Sequence, residues 1–81
     1  MSLPRELSQQ RQPLEFYLSL QYPIEIYPEH KGYTVMIPDL PGCMTQGETI
    51  AEAIANIHKA KELWIETTYA SSNKNIPLPS K

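Results

Sequence analysis

Ile37-Pro38-Asp39-Leu40-Pro41-Gly42-Cys43-Met44-Thr45-Gln46-Gly47-Glu48-Thr49 decides how the chain folds, because it joins a β-branched run to a helix through one tight corner. Pro38 and Pro41 each fix their own φ and push the residue before them into an extended conformation, while Gly42 takes the positive φ that a reversal needs. Cys43 to Gln46 then reads as a short third strand, Gly47 frees the backbone, and Thr49 followed by Glu52 has the spacing of a capping box.

Upstream of the corner, Tyr33, Val35 and Ile37 alternate with polar or solvent-side positions, and so do Tyr22, Ile24 and Ile26. That period of two marks two strands with one buried face each. Glu29-His30-Lys31-Gly32 between them is a compact polar turn, so the pair forms an antiparallel hairpin and the corner extends it to a meander. Pro23 and Pro28 cannot donate to a sheet ladder, which places the first strand at an edge. Further back, Pro13 suits the first position of a short helix to about Leu20, with Leu14, Tyr17 and Leu18 on one stripe. Residues 1–12 read as a flexible N-terminal tail, and 13–81 as one domain.

Downstream, Ile50, Ala53, Ile54, Ile57, Lys61, Trp64 and Ile65 recur at helical spacing, predicting a helix to about Thr68 whose apolar stripe covers one face of the sheet. Lys61 interrupts the stripe and is expected to lay its methylenes along it with the ammonium in water. Ser71 to Asn75 reads as a loop, and Ile76-Pro77-Leu78-Pro79 as a last short edge strand. The fold class is therefore α+β, a β-β-β-α-β unit with a short N-terminal helix. Its expected core is Ile24, Ile26, Val35, Ile37, Ile50, Ile54, Ile57 and Trp64.

Eighty-one residues, 41% hydrophobic and 20% charged, suit a small soluble domain in which the buried core is only just sufficient, so self-association as a dimer or tetramer is expected. A single cysteine excludes an internal disulfide framework and suits a reducing cytoplasm, and no stretch is long and apolar enough to span a bilayer. Seven Lys plus Arg against nine Asp plus Glu give a formal charge of −2, the wrong sign for gripping nucleic acid by its phosphates and the right one for a basic protein partner.

Catalytic chemistry finds little support. A thiol nucleophile at Cys43 would need His30 or His58 as its base, and neither shares a local motif with it. One cysteine and two separated histidines show no metal-ligand spacing, so no metal and no cofactor are assigned. The acids Glu25, Asp39, Glu48, Glu52, Glu62 and Glu66 fall on different elements rather than on a converging carboxylate site. Gly42 and Gly47 lack the spacing and lysine of a phosphate loop. Tyr27 and Tyr33 flanking Lys31 are too few for an RNA platform and read as packing residues.

Gly32-Tyr33 before a β-branched strand, Pro38-Asp39-Leu40-Pro41-Gly42-Cys43, Thr45-Gln46-Gly47-Glu48-Thr49, and Glu52-Ala53 with Asn56 together resemble the HicB family of small antitoxins, over roughly Ile24 to Pro79. The resemblance implies a partial ribonuclease H-like fold in the element order given above. It also implies a function: binding and neutralising HicA, a small basic toxin that cleaves messenger RNA. It makes Gly32, Tyr33, Pro38, Asp39, Leu40, Pro41, Gly42, Cys43, Gly47, Thr49, Glu52 and Ala53 the family-motif positions, structural or partner-binding. Many members add a C-terminal DNA-binding domain. This chain resembles the short, stand-alone members without it, so no direct DNA binding is expected, and it carries an N-terminal extension that the shortest members lack. The rival readings are an orphan oligomeric interaction protein of the same fold with no toxin partner, and an enzyme using Cys43 or Asp39, which the residues support least.

Overall fold

The computed structural model describes residues 12–71 and 75–80. The elements run α1 (Leu14–Leu18), β1 (Glu25–Glu29), β2 (Gly32–Met36), β3 (Met44–Gly47) and α2 (Ile50–Ala70). The three strands form one antiparallel sheet in the order β1-β2-β3, the expected α+β meander with one main helix and one short one. Tyr27 stands opposite Thr34 and Val35 opposite Thr45. Most of the tail assigned to 1–12, and residues 72–74 of the loop at Ser71 to Asn75, lie outside the described residues.

A two-residue connection between β1 and β2 makes Glu29 and Gly32 the pair that closes the hairpin. Alternation along the ladder then puts Pro28, opposite Tyr33, where a donor would point away from β2. The proline therefore costs the hairpin no ladder bond, and it leaves β1 at the sheet edge as its composition required.

The corner is two turns in series: the amide of Leu40 donates to the carbonyl of Ile37 (3.0 Å), and the amide of Cys43 to that of Leu40 (2.9 Å). The Ile37 amide donates to the Cys43 carbonyl at 3.0 Å and closes both. In the second turn Pro41 occupies the position that favours a fixed φ, and Gly42 follows at φ 83°, which is the type II pattern. Each turn advances the chain by three residues, and Ile37, Leu40 and Cys43 are all buried, while Pro38 and Pro41 stay outside. Leu40, read from sequence only as a motif position, is fully buried and belongs to the core.

The core consists of Tyr17, Tyr22, Val35, Ile37, Leu40, Cys43, Ala53, Ile57 and Ile65. Ile24 and Trp64 pack against it half-buried, and Ile54 is half-buried. Two expected core residues are exposed instead. Ile26 is 39% exposed because α2 packs on β3 and β2 and makes no contact with β1, leaving the helix side of β1 uncovered. Ile50 is 49% exposed because the helix meets the sheet one turn later, where Ala53 sits directly on Gly47. The first strand also begins at Glu25 rather than Tyr22, and Tyr22 instead turns into the core.

Ile76 to Pro79 forms no strand, since Pro77 and Pro79 bring no amide to a ladder. Side chains hold the segment in place of a ladder. The Tyr22 hydroxyl donates to the Pro77 carbonyl at 2.6 Å, and the Ser80 amide and hydroxyl donate to one Asp39 carboxylate oxygen at 2.9 and 3.1 Å.

Candidate functional site

The family-motif positions converge on the junction of corner, β3 and the start of α2, and most of their contacts are internal. Thr49 is the N-cap of α2, its hydroxyl accepting from the Glu52 amide at 3.0 Å. The Glu52 carboxylate accepts from the Glu48 amide at 3.0 Å, one residue earlier than in the usual capping box, so it fixes the residue that leads into the cap. At Gly47 a Cβ would lie 2.6 Å from the Ala53 Cα and 2.9 Å from the Glu52 carbonyl carbon. Its φ is not positive, so this glycine supplies space for the helix start, not the backbone freedom expected of it.

Three side chains outside those positions fasten α2 to its surroundings. The Trp64 indole donates to the Pro41 carbonyl at 2.8 Å, tying α2 to the outside of the corner. The Asn56 amide donates to the Gln46 carbonyl at 2.8 Å. Ile37–Cys43 pairing makes the odd-numbered residues of β3 face β2, so the Gln46 carbonyl is on the outer edge and Asn56 occupies it. Lys61 does not send its ammonium to water: it donates to the Leu20 carbonyl at 2.8 Å, with the Tyr22 ring 6.0 Å away. Spacing alone gave no signal for Lys61 or Asn56, because each contact depends on a segment distant in sequence.

The chemical candidates are separated. Cys43 is buried, and burial raises its thiol pKa above the ordinary value, only partly opposed by the Lys61 charge. Cys43, His30 and His58 line three different depressions, so no base is brought to the thiol. Asp39 is engaged by Ser80 and, with burial as the larger cause, raises the Tyr22 phenol pKa. Among the described residues no group of three or more His, Cys, Asp or Glu side chains could hold a metal ion. Tyr33 packs against the core as expected, but Tyr27 is 46% exposed and its hydroxyl donates to Glu25, a bond that raises the phenol pKa.

What the surface offers is binding area. Strand register puts Glu25, Tyr27, Thr34, Met36, Met44 and Gln46 on the sheet face opposite α2, which no described element covers. The described residues carry the carboxylates of Glu15, Glu25, Glu29, Asp39, Glu48, Glu52, Glu62 and Glu66 against the ammonium groups of Lys31, Lys59 and Lys61 alone. The described body is thus more acidic than the chain as a whole. Against this background two depressions are lined by no charged side chain, one by Gly42, Cys43, Met44, Ala60, Leu63, Trp64, Thr67 and Thr68, the other by Thr34, Met44, Thr45 and Gln46.

Residues 22–81 match a family model described as HicB_like antitoxin of bacterial toxin-antitoxin system. The Synechocystis protein named UPF0150 protein ssl0259 is 42% identical over 62 residues, which cover 75% of this chain and 81% of that protein. The Thermoplasma acidophilum UPF0150 protein Ta0767 is 41% identical over 59 residues, covering 72% of this chain and 84% of its own length. Antitoxin HicB of Escherichia coli K12 is 39% identical over 64 residues, covering 75% of this chain and 44% of that protein. The similarity thus spans most of the short relatives and less than half of the longer one.

Proposed function

We propose that this chain, because it belongs to the HicB-like antitoxin family of bacterial toxin-antitoxin systems, binds and neutralises a small basic HicA-type toxin that cleaves messenger RNA, without catalysing a reaction itself. The observation that carries the choice of partner is the charge of the body, in which eight side-chain carboxylates face three lysines, one of them spent on the Leu20 carbonyl. Such a surface attracts a cationic protein and repels nucleic acid, so the toxin rather than its RNA is the ligand. The isolated thiol and the dispersed carboxylates support a non-catalytic role. We place the protein in the cytoplasm, in keeping with its single free cysteine and with the finding that no helix among the described residues is long and apolar enough to cross a membrane. A dimer or tetramer is the form proposed to act.

The test is direct titration with a small basic protein encoded in the adjoining reading frame. A complex should form at micromolar concentration or tighter and suppress the toxin's cleavage of messenger RNA in vitro. Its association rate should fall as salt rises, since screening shortens the reach of charge to about 8 Å at physiological ionic strength. Absence of any complex would remove the toxin reading. A salt-independent association rate would transfer the steering from charge to apolar contact.

A further inference from the structure

We infer that the depression between α2 and the connection from α1 to β1 is a binding site for a small organic acid, one carboxylate on a short apolar body. Such a site plays no part in the toxin reading, and the two fail separately.

The depression holds about 340 Å³, at the small end of the range for ligand sites. Its apolar lining comes from Tyr22 and Ile37, which are buried, and from Leu18 and Ile24, which are half-buried. The α2 side contributes His58 and Lys61, three residues apart and so on one side of the helix. Gln21 lines it from the connection. All three bring N–H donors, and no lining residue is acidic. This sets the place apart in a body where eight side-chain carboxylates meet three lysines. The depression at the hairpin end carries Glu29, Glu48 and Glu52, and the two beside Met44 carry no charge.

The fold leaves these donors open. Lys61 gives one of its three N–H groups to the Leu20 carbonyl and keeps two. Among the described residues the His58 imidazole and the Gln21 side-chain amide make no hydrogen bond, and an imidazole presents an N–H in either protonation state. The Tyr22 hydroxyl is taken by the Pro77 carbonyl, which leaves its ring as wall. Asp39 lies outside the lining, with one carboxylate oxygen accepting from Ser80. A cationic or wholly apolar ligand would cover these donors without pairing them, which is costly, whereas a carboxylate meets them with two oxygens. One negative charge suits the place better than two, since the carboxylates of the surrounding body repel a dianion twice as strongly. A ligand seated there joins the connection to α2, the same two pieces that the Lys61 bond joins, and so adds a second fastening for α1.

Titration of the full chain, followed through its amide resonances, uses three probes: phenylacetate, its neutral amide phenylacetamide, and acetate. Phenylacetate should saturate with a Kd below about 1 mM and shift the resonances of residues 18–24 and 58–61. Phenylacetamide lacks the charge and acetate lacks the body, so each should bind at least about tenfold more weakly. His58→Ala, at an exposed position, and Lys61→Met should each weaken phenylacetate about tenfold or more, the worth of one charge-assisted hydrogen bond, with the far-ultraviolet circular dichroism unchanged. His58→Ala leaves the Lys61 bond to Leu20 in place, so its effect is read with α1 still fastened. With phenylacetate bound, amide exchange across Leu14 to Leu20 should slow while that of β2 stays as it was. Failure to saturate, equal binding of phenylacetamide or acetate, shifts centred elsewhere, unchanged exchange in α1, or wild-type affinity in His58→Ala would overturn the proposal.

Discussion

Leu40 shows how much one side chain carries when a loop is part of the core. It is fully buried between two turns, so Leu40→Ala should cost roughly 2–5 kcal/mol, the usual range for emptying such a site. Trp64 is half-buried, and its indole bond to Pro41 is at the surface. Trp64→Phe, which keeps most of the apolar contact, should cost only about 0.5–1.5 kcal/mol. Chemical denaturation of both variants checks the order, and a Trp64→Phe loss exceeding that of Leu40→Ala would mean the corner is held from outside. Tyr22 and Cys43 add a pH signature. Burial raises the pKa of both groups in the folded chain, so the neutral forms favour folding below the unfolded-state values, and that contribution is lost as pH rises through the folded ones. Stability should therefore fall on the alkaline side, above the usual thiol range and further above the phenol range near 10. Unfolding curves at pH 8 and 11 should show a smaller fall for Tyr22→Phe with Cys43→Ala than for wild type.

At the scale of elements, the glycines beside α2 do different work and should answer differently to substitution. A Cβ at Gly42 would meet nothing within 4 Å, so Gly42→Ala is penalised only by its φ of 83°, at about 1–2 kcal/mol, and Gly42→Asn should be milder because asparagine tolerates that region. Gly47 has no such relief: any side chain drives into the backbone of Ala53, and Gly47→Asn should be no better than Gly47→Ala. Thr49→Ala removes the hydroxyl that caps α2 and should cost about 0.5–2 kcal/mol. Thermal melts of this set separate conformation, space and capping. Equal losses for Gly42→Ala and Gly42→Asn would show that φ is not the reason for that glycine.

For the whole molecule, the small helix α1 is the part least able to stand alone, because five residues are far below the length at which an isolated helix persists. It is held by Tyr17 against Tyr69, with ring centroids 5.9 Å apart, and just beyond its end by Lys61 on the Leu20 carbonyl. Lys61→Met keeps the stem that packs on the stripe and removes the donor. Amide exchange should then speed up across Leu14 to Leu20 while that of β2 changes little. Uniform acceleration in both regions would mean that α1 and the sheet open as one unit.

The meander, the main helix, its cap and the turning glycine at 42 were legible in the sequence because each rests on local chemistry: proline and glycine dihedrals, alternation, and a hydroxyl three residues before a carboxylate. The motif that carried the family resemblance was legible for the same reason. Exposure of Ile26 and Ile50 was not, since both obey the periodicity of a buried face and only the placement of α2 over β3 and β2 decides which part of that face is covered. Nor did periodicity reveal Lys61 on Leu20, Asn56 on Gln46, or Ser80 on Asp39, where hydrogen bonds join residues brought together by the fold. The local rules determined which segments are strands, turns and helix. Packing decided which faces meet, because burial belongs to the relation between elements and no single element contains it.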